Sequence, residues 1–153
     1  MTGAFLRYDD KVLLMKRSMN RTLNPGKWAP VGGHLEPNEI NDPAGACLRE
    51  IKEEAGIPPE DVSDFSLRFI ILRNNNGLIY VNYLFTGVLS KLPLLPYCEE
   101  GVLEWVDFYA LPGYGMTFSI IESAKILVND TDDSKILLGA VNQQNDKIIW
   151  SEL

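Results

Sequence analysis

The 153-residue sequence predicts an α/β fold, with helices on the faces of a mixed β-sheet. Three observations lead there. Only two segments carry helical spacing, 43–55 and 117–128. Several β-rich runs surround them, at 3–8, 12–17, 65–73, 78–89, 102–108, 135–141 and 147–150. No repeat, low-complexity stretch or linker interrupts the series, so one domain over residues 1–153 is expected.

The first two runs flank the turn Asp9-Asp10 and read as a strand pair. A loop over 18–27 follows, with Arg17, Arg21 and Lys27 in or beside it. These cations lie just before an acidic helix, where a polyphosphate could meet them; solvated loop charge is the other reading. Trp28-Ala29-Pro30-Val31 then enters Gly32-Gly33, where the backbone can approach a ligand closely or take positive φ. No Gly-Lys-Ser/Thr follows, so this is no P-loop. His34 is the only histidine in the chain, and no nucleophile elbow accompanies it. It reads as a loop residue near phosphate.

The first helix has explicit ends. Asp42 is the N-cap and Pro43 the first helical residue, while Gly56, followed by Pro58 and Pro59, stops it. Ala44, Cys47, Leu48, Ile51 and Ala55 form its apolar face. Glu50, Glu53 and Glu54 stand at i, i+3 and i+4, so their carboxylates share an adjacent face. Like charges so spaced weaken a helix by roughly 0.2–0.5 kcal/mol per pair. Converging hard oxygen ligands suit Mg²⁺ or Mn²⁺; a solvated acidic face is the alternative.

After the helix, Asn74-Asn75-Asn76-Gly77 marks a hairpin between two of the β-rich runs. A proline-rich connection over 91–96 leads to Glu99-Glu100-Gly101 and a further strand. The second helix carries Ile120, Ile121, Ala124, Leu127 and Val128 on one face and ends over 129–133. The last two runs read as a closing hairpin around 142–146.

The net charge of −7 argues against a nucleic-acid polymer as partner, though not against a nucleotide, because metal ions bridge acidic protein and phosphate. No apolar run reaches the roughly 18 residues of a membrane span, and no secretory pattern opens the chain. Cys47 and Cys98 make no disulfide framework, which fits a cytoplasmic location. Cys47 reads as core.

The stretch 32–57 resembles the signature box of Nudix hydrolases, Gly-x5-Glu-x7-Arg-Glu-U-x-Glu-Glu-x-Gly-U, where U is bulky and aliphatic. Gly33, Glu39, Arg49, Glu50, Ile51, Glu53, Glu54, Gly56 and Ile57 match it by type. Nine residues separate Glu39 from Arg49, two more than the pattern has. Aligning Asp42-Pro43 with the usual helix start puts the extra pair at Ile40-Asn41, in the loop. The helix keeps its register; the place of Glu39 is open, with Glu36 as its substitute.

The resemblance implies the Nudix fold, an α/β/α sandwich around a mixed β-sheet. It implies hydrolysis of nucleoside diphosphate derivatives by water, assisted by divalent ions. Glu50, Glu53 and Glu54 would form the metal site, with Glu53 and Glu54 as direct ligands, Glu39 as a further ligand and Arg49 orienting the glutamates. Glu99 or Glu100 would supply a further ligand or base, and Gly32, Gly33, His34, Arg17 and Arg21 would meet the substrate. The run 100–106 and the closing hairpin resemble the branch that hydrolyses 8-oxo-dGTP and related triphosphates. There Tyr114, Met116 and Phe118 would hold the base, with ordinary packing as their alternative. ADP-ribose hydrolases usually carry a proline soon after the box, and none lies between Pro59 and Pro93; dinucleoside-polyphosphate hydrolases often carry a tyrosine there, and Tyr80 comes late. A nucleotide-sensing domain without activity is the reading of another class, and such domains typically lose box glutamates. A monomer or homodimer is expected.

Overall fold

The structure is a computed structural model, and it describes residues 1–130, 132, 134–142 and 147–153. Strand β1 is Thr2–Tyr8, β2 is Lys11–Arg17 and β3 is Trp28–Pro30. Helix α1, Pro43–Ala55, follows a short 3-10 turn at Pro37–Glu39. Then come β4 (Val62–Asn75), β5 (Leu78–Leu89), β6 (Gly101–Asp107), helix α2 (Phe118–Asn129), β7 (Leu137–Asn142) and β8 (Lys147–Glu152).

Among the described residues the strands form one eight-stranded sheet. The path β3-β2-β1-β5-β4-β7-β8 is joined by β6, which pairs with β2 along its whole length. The β1–β5 and β4–β7 pairs are parallel and the others antiparallel, so the sheet is mixed as expected. Side chains alternate across it. Phe5, Val12, Leu14, Phe69, Ile71 and Leu84 pack beneath α2 with Ile120, Ala124 and Leu127. Ala4, Leu6, Leu13, Met15 and Phe85 pack beneath α1 with Cys47, Ile51 and Ala55. The result is an α/β/α sandwich.

Local chemistry sets the ends of α1. The Asp42 side chain accepts from the Gly45 N–H at 2.9 Å, and Gly56 caps the C-terminus with φ 68°. Cys47 is fully buried, and loss of water pushes its thiol up to about 12. Two elements differ from expectation. β4 starts at Val62 rather than 65, because register shifts near Asp64 and Arg68 break the alternation there. The hairpin loop shrinks to Asn76-Gly77, both with positive φ, so β4 continues to Asn75. The expected turn between β7 and β8 falls largely on 143–146, and the segment after α2 includes 131 and 133; these lie outside the described residues.

Candidate active site

Three pieces of chain converge at the Gly32-Gly33 segment. Thr2 N–H donates to the Gly33 carbonyl at 2.9 Å, which ties the segment to β1. From the other side, the Gly32 N–H donates to Glu54 Oε2 at 3.2 Å. A Cβ on Gly33 would stand 2.5 Å from Glu50 Cδ, so the second glycine makes room for that carboxylate. A Cβ on Gly32 would meet the Thr2 carbonyl at 2.4 Å, and its φ of 149° favours glycine as well. The glycine pair is therefore where the backbone and the acidic helix touch.

The three box glutamates occupy different environments. Glu54 is only 8% exposed, on the buried side of α1 rather than an open acidic face. Burial, the dominant cause, pushes its carboxyl up to about 7; the Gly32 hydrogen bond opposes this, and Glu50 and Glu100 reinforce it. Glu50 is half-buried and also raised, mainly by loss of water. Glu53 is exposed and turned toward Arg49, whose Nη1 reaches its Oε2 at 3.0 Å.

Arg49 is the junction of the site. Its Nε and Nη2 hold Glu39 Oε1 and Oε2 at 2.7 and 2.9 Å. Nη1 also reaches Glu50 Oε1 at 3.2 Å, and Nη2 donates to the His34 carbonyl at 3.2 Å. This two-pronged grip holds the Glu39 carboxyl at about 2. The place of Glu39, left open by the insertion, is thereby fixed. Ile40 and Asn41 form an exposed turn spanned by the Asp42 N–H to Glu39 carbonyl bond, and Glu39 stays against the helix. Glu36 is exposed and does not take its place.

Of Glu99 and Glu100, it is Glu100 whose charge bears on Glu50 and Glu54. Glu99 is exposed and lines a separate groove with Tyr97 and Cys98. Arg21 is ion-paired to Glu100 at 2.8 Å and is not among the residues lining the cleft beside the site. Arg17 and Lys27 do line that cleft, together with Gly32, Trp28, Arg73 and Asn82. Arg17 is braced by its Nε donating to the Leu23 carbonyl at 3.0 Å, and its charge opposes the raised pKa of Glu54.

Of the residues expected to hold a base, Met116 is buried core beneath α2, and Phe118 is half-buried and not among the residues lining the cleft. Tyr114 packs edge-on against Trp28, ring centres 5.1 Å apart, so it supports the cleft wall without forming it. Helical phase explains the shift: Thr117, Ser119 and Ile120 are the residues at the start of α2 that line the cleft. Arg73 and Asn82 escaped sequence reasoning because each looks like an ordinary polar residue near a hairpin.

Known proteins share both the box and the fold. The family model described as NUDIX domain matches residues 2–117. The chain belongs to the Nudix hydrolase family. Its fold matches a NUDIX hydrolase from Nitrosomonas europaea with TM-score 0.72 at 24% identity, covering 93% of this chain and 77% of that one. It matches a MutT protein from Bacillus halodurans with TM-score 0.69 at 22% identity, covering 99% and 95%. Over 53 residues it is 45% identical to the Xenopus laevis m7GpppN-mRNA hydrolase NUDT17, which is 35% of this chain and 17% of that protein. Over 119 residues it is 26% identical to diphosphoinositol polyphosphate phosphohydrolase 3-alpha of Mus musculus, 78% of this chain and 61% of that protein. The chain thus spans less than two thirds of the length of these two relatives. No described helix is long and apolar enough to cross a membrane.

Proposed function

We propose that this Nudix domain hydrolyses a phosphoric anhydride in a nucleoside diphosphate derivative, with a nucleoside triphosphate of the 8-oxo-dGTP type as substrate and monophosphate and pyrophosphate as products. The observation that carries the reading is the closeness of Glu54 to Gly32 and of Glu50 to Gly33, where Gly32 also lines a cleft with Arg17 and Lys27. Burial raises the proton affinity of Glu50 and Glu54, and a hard divalent cation, Mg²⁺ or Mn²⁺, would favour their ionised form. No ready-made cage of three such ligands exists among the described residues. Mg²⁺ usually keeps several waters and takes one or two carboxylates plus substrate phosphates. Glu50 and Glu54 would hold the ion, and the chemistry it would supply is neutralisation of phosphate charge.

The protein's own groups do the positioning. Arg49 fixes Glu39, Glu50 and Glu53 in one array. Arg17 and Lys27, which line the cleft, would attract the polyphosphate, and Glu100 would be the base that takes a proton from water. The decisive experiment is Mg²⁺-dependent phosphate and pyrophosphate release across 8-oxo-dGTP, ordinary dNTPs, ADP-ribose, diadenosine polyphosphates, capped RNA and a diphosphoinositol polyphosphate. Pyrophosphate from 8-oxo-dGTP well above the rest is expected. Preference for ADP-ribose keeps the chemistry and overturns the substrate. Tight binding without turnover on every compound overturns the enzyme reading in favour of a nucleotide sensor.

A further inference from the structure

Buried polar atoms in folded proteins almost always have hydrogen-bond partners. Among the described residues four side-chain atoms do not, and two of them, the buried Arg73 Nε and Asn82 Oδ1, belong to residues that line the same cleft. Strand register puts them together. Asn82 stands opposite Ile71, two residues before Arg73 on β4, so both side chains rise on the α2 face of the sheet. Arg73 lies against the Tyr80 ring opposite it, its guanidinium carbon 5.4 Å from the ring centre, which limits where its donors can point.

One orphan is a donor and the other an acceptor. Arginine has five N–H groups and no acceptor, so whatever meets Arg73 must accept. The Asn82 carbonyl oxygen requires a donor. Trp28 and Ile120 also line the cleft, and offer flat apolar surface to a ring. The position fits the reach of a nucleotide. From the Gly32 segment, β5 is two interstrand steps away across β1 and β4 is three, roughly 10 and 14 Å. That is comparable to the reach from a diphosphate across a sugar to the far edge of a base.

We infer that Arg73 and Asn82 are specificity-determining residues that read the lactam edge of a keto base, its C=O accepting from Arg73 and its adjacent N–H donating to Asn82. Guanine, hypoxanthine, uracil and their oxidised forms present such an edge. Adenine in the same pose sets an exocyclic amine against the Arg73 donors and leaves them unpaired. The inference rests on the proposed function in one respect, that the phosphates of a nucleotide lie toward Glu54. It explains why a mostly apolar cleft ends in two unsatisfied groups, which packing alone does not.

The test is equilibrium binding of GMP, IMP and AMP to the full chain by calorimetry, with Mg²⁺ present. Wild type should bind GMP and IMP at least about 10-fold more tightly than AMP, the worth of one good polar pair. Asn82→Leu, which keeps the volume, and Arg73→Lys, which keeps the charge but not the fork, should each abolish that preference while AMP affinity stays within about 3-fold and the melting temperature holds. Where triphosphates are hydrolysed, KM for dGTP should rise with kcat little changed. Equal weakening for all three nucleotides would make the pair a phosphate or structural contact and overturn the inference. Unchanged GMP affinity in both variants would do the same. Base selectivity in a protein that hydrolyses no nucleotide would leave the inference standing and remove the proposed function, so the two fail separately.

Discussion

Arg49 grips both oxygens of the Glu39 carboxylate, at 2.7 and 2.9 Å, across a loop two residues longer than the Nudix pattern. The same guanidinium touches Glu50 and Glu53 and the His34 carbonyl. One side chain therefore sets the spacing of three carboxylates. A lysine has a single charged nitrogen and cannot span them. Arg49→Lys should lower kcat/KM by about 10- to 100-fold, as removal of a partner that orients metal ligands typically does. The far-ultraviolet spectrum should be unchanged. Activity within a factor of two of wild type would show that Arg49 is only a surface ion pair.

The raised carboxyl of Glu54 predicts how stability varies with pH. Its folded value, about 7, lies above the unfolded value of 4.5, so the folded state holds the proton more tightly. The stabilisation is present in full below 4.5 and is lost as pH rises through 7. Glu50 shifts in the same direction. Each tenfold change in proton affinity between the two states is worth about 1.4 kcal/mol. The metal-free protein should therefore lose on the order of 3 kcal/mol from Glu54 between pH 4.5 and about pH 8. Glu54→Gln should flatten that part of the curve, raise metal-free stability at the alkaline end and abolish turnover. Urea titrations of both proteins across this range test it, and a wild-type curve that rises with pH in step with the variant would contradict the assignment.

The two adjacent glycines should respond differently to one methyl group. At Gly33 the methyl meets the end of a flexible glutamate, Glu50 Cδ, at 2.5 Å. That side chain can swing away, so Gly33→Ala should fold normally yet bind Mg²⁺ at least about 10-fold more weakly. At Gly32 the methyl meets backbone, the Thr2 carbonyl at 2.4 Å, with φ at 149°. Gly32→Ala should cost about 1–3 kcal/mol of stability, the range for a residue forced into such a conformation. Thermal melts and Mg²⁺ titration of the pair separate the two effects; identical behaviour would refute the distinction.

Much of this arrangement was legible in the linear chain. The Asp42-Pro43 start and the Gly56 stop of α1 are signals in local chemistry, and the structure uses both. β1 and β2 are continuous apolar runs, as strands buried on both faces are, and their successive residues join the two cores in turn. Burial of Glu54 was overlooked: it stands three residues after Ile51 and seven after Cys47, beside the apolar face, but its charge made it read as part of the acidic face. The role of Glu39 was open for a similar reason, since loop geometry and not spacing decides whether Arg49 reaches it. Arg73 and Asn82 meet only through β4–β5 register, which the two-residue turn Asn76-Gly77 sets; reading the loop as 74–77 left that register open. The residues around 116–118 misled because a one-residue change of phase at a helix start swaps core for cleft.

Glu100 and Glu99 are neighbours in sequence and should differ sharply in effect. Glu100 is held by Arg21 at 2.8 Å, and its charge raises the proton affinity of Glu50 and Glu54; Glu99 is exposed on another groove. Glu100→Gln removes one negative charge from that field, so the carboxyl of Glu54 falls from its value of about 7. The acid limb of the kcat/KM profile reports the essential base of the free enzyme, and it should move to lower pH if Glu54 sets it. If Glu100 itself takes the proton from water, the same variant should lose about 10²- to 10⁴-fold in kcat, the usual worth of a general base. Glu99→Gln should change neither the limb nor the rate. A pH–rate profile of the three proteins decides between the two roles, and a Glu100→Gln profile that overlays wild type would exclude both.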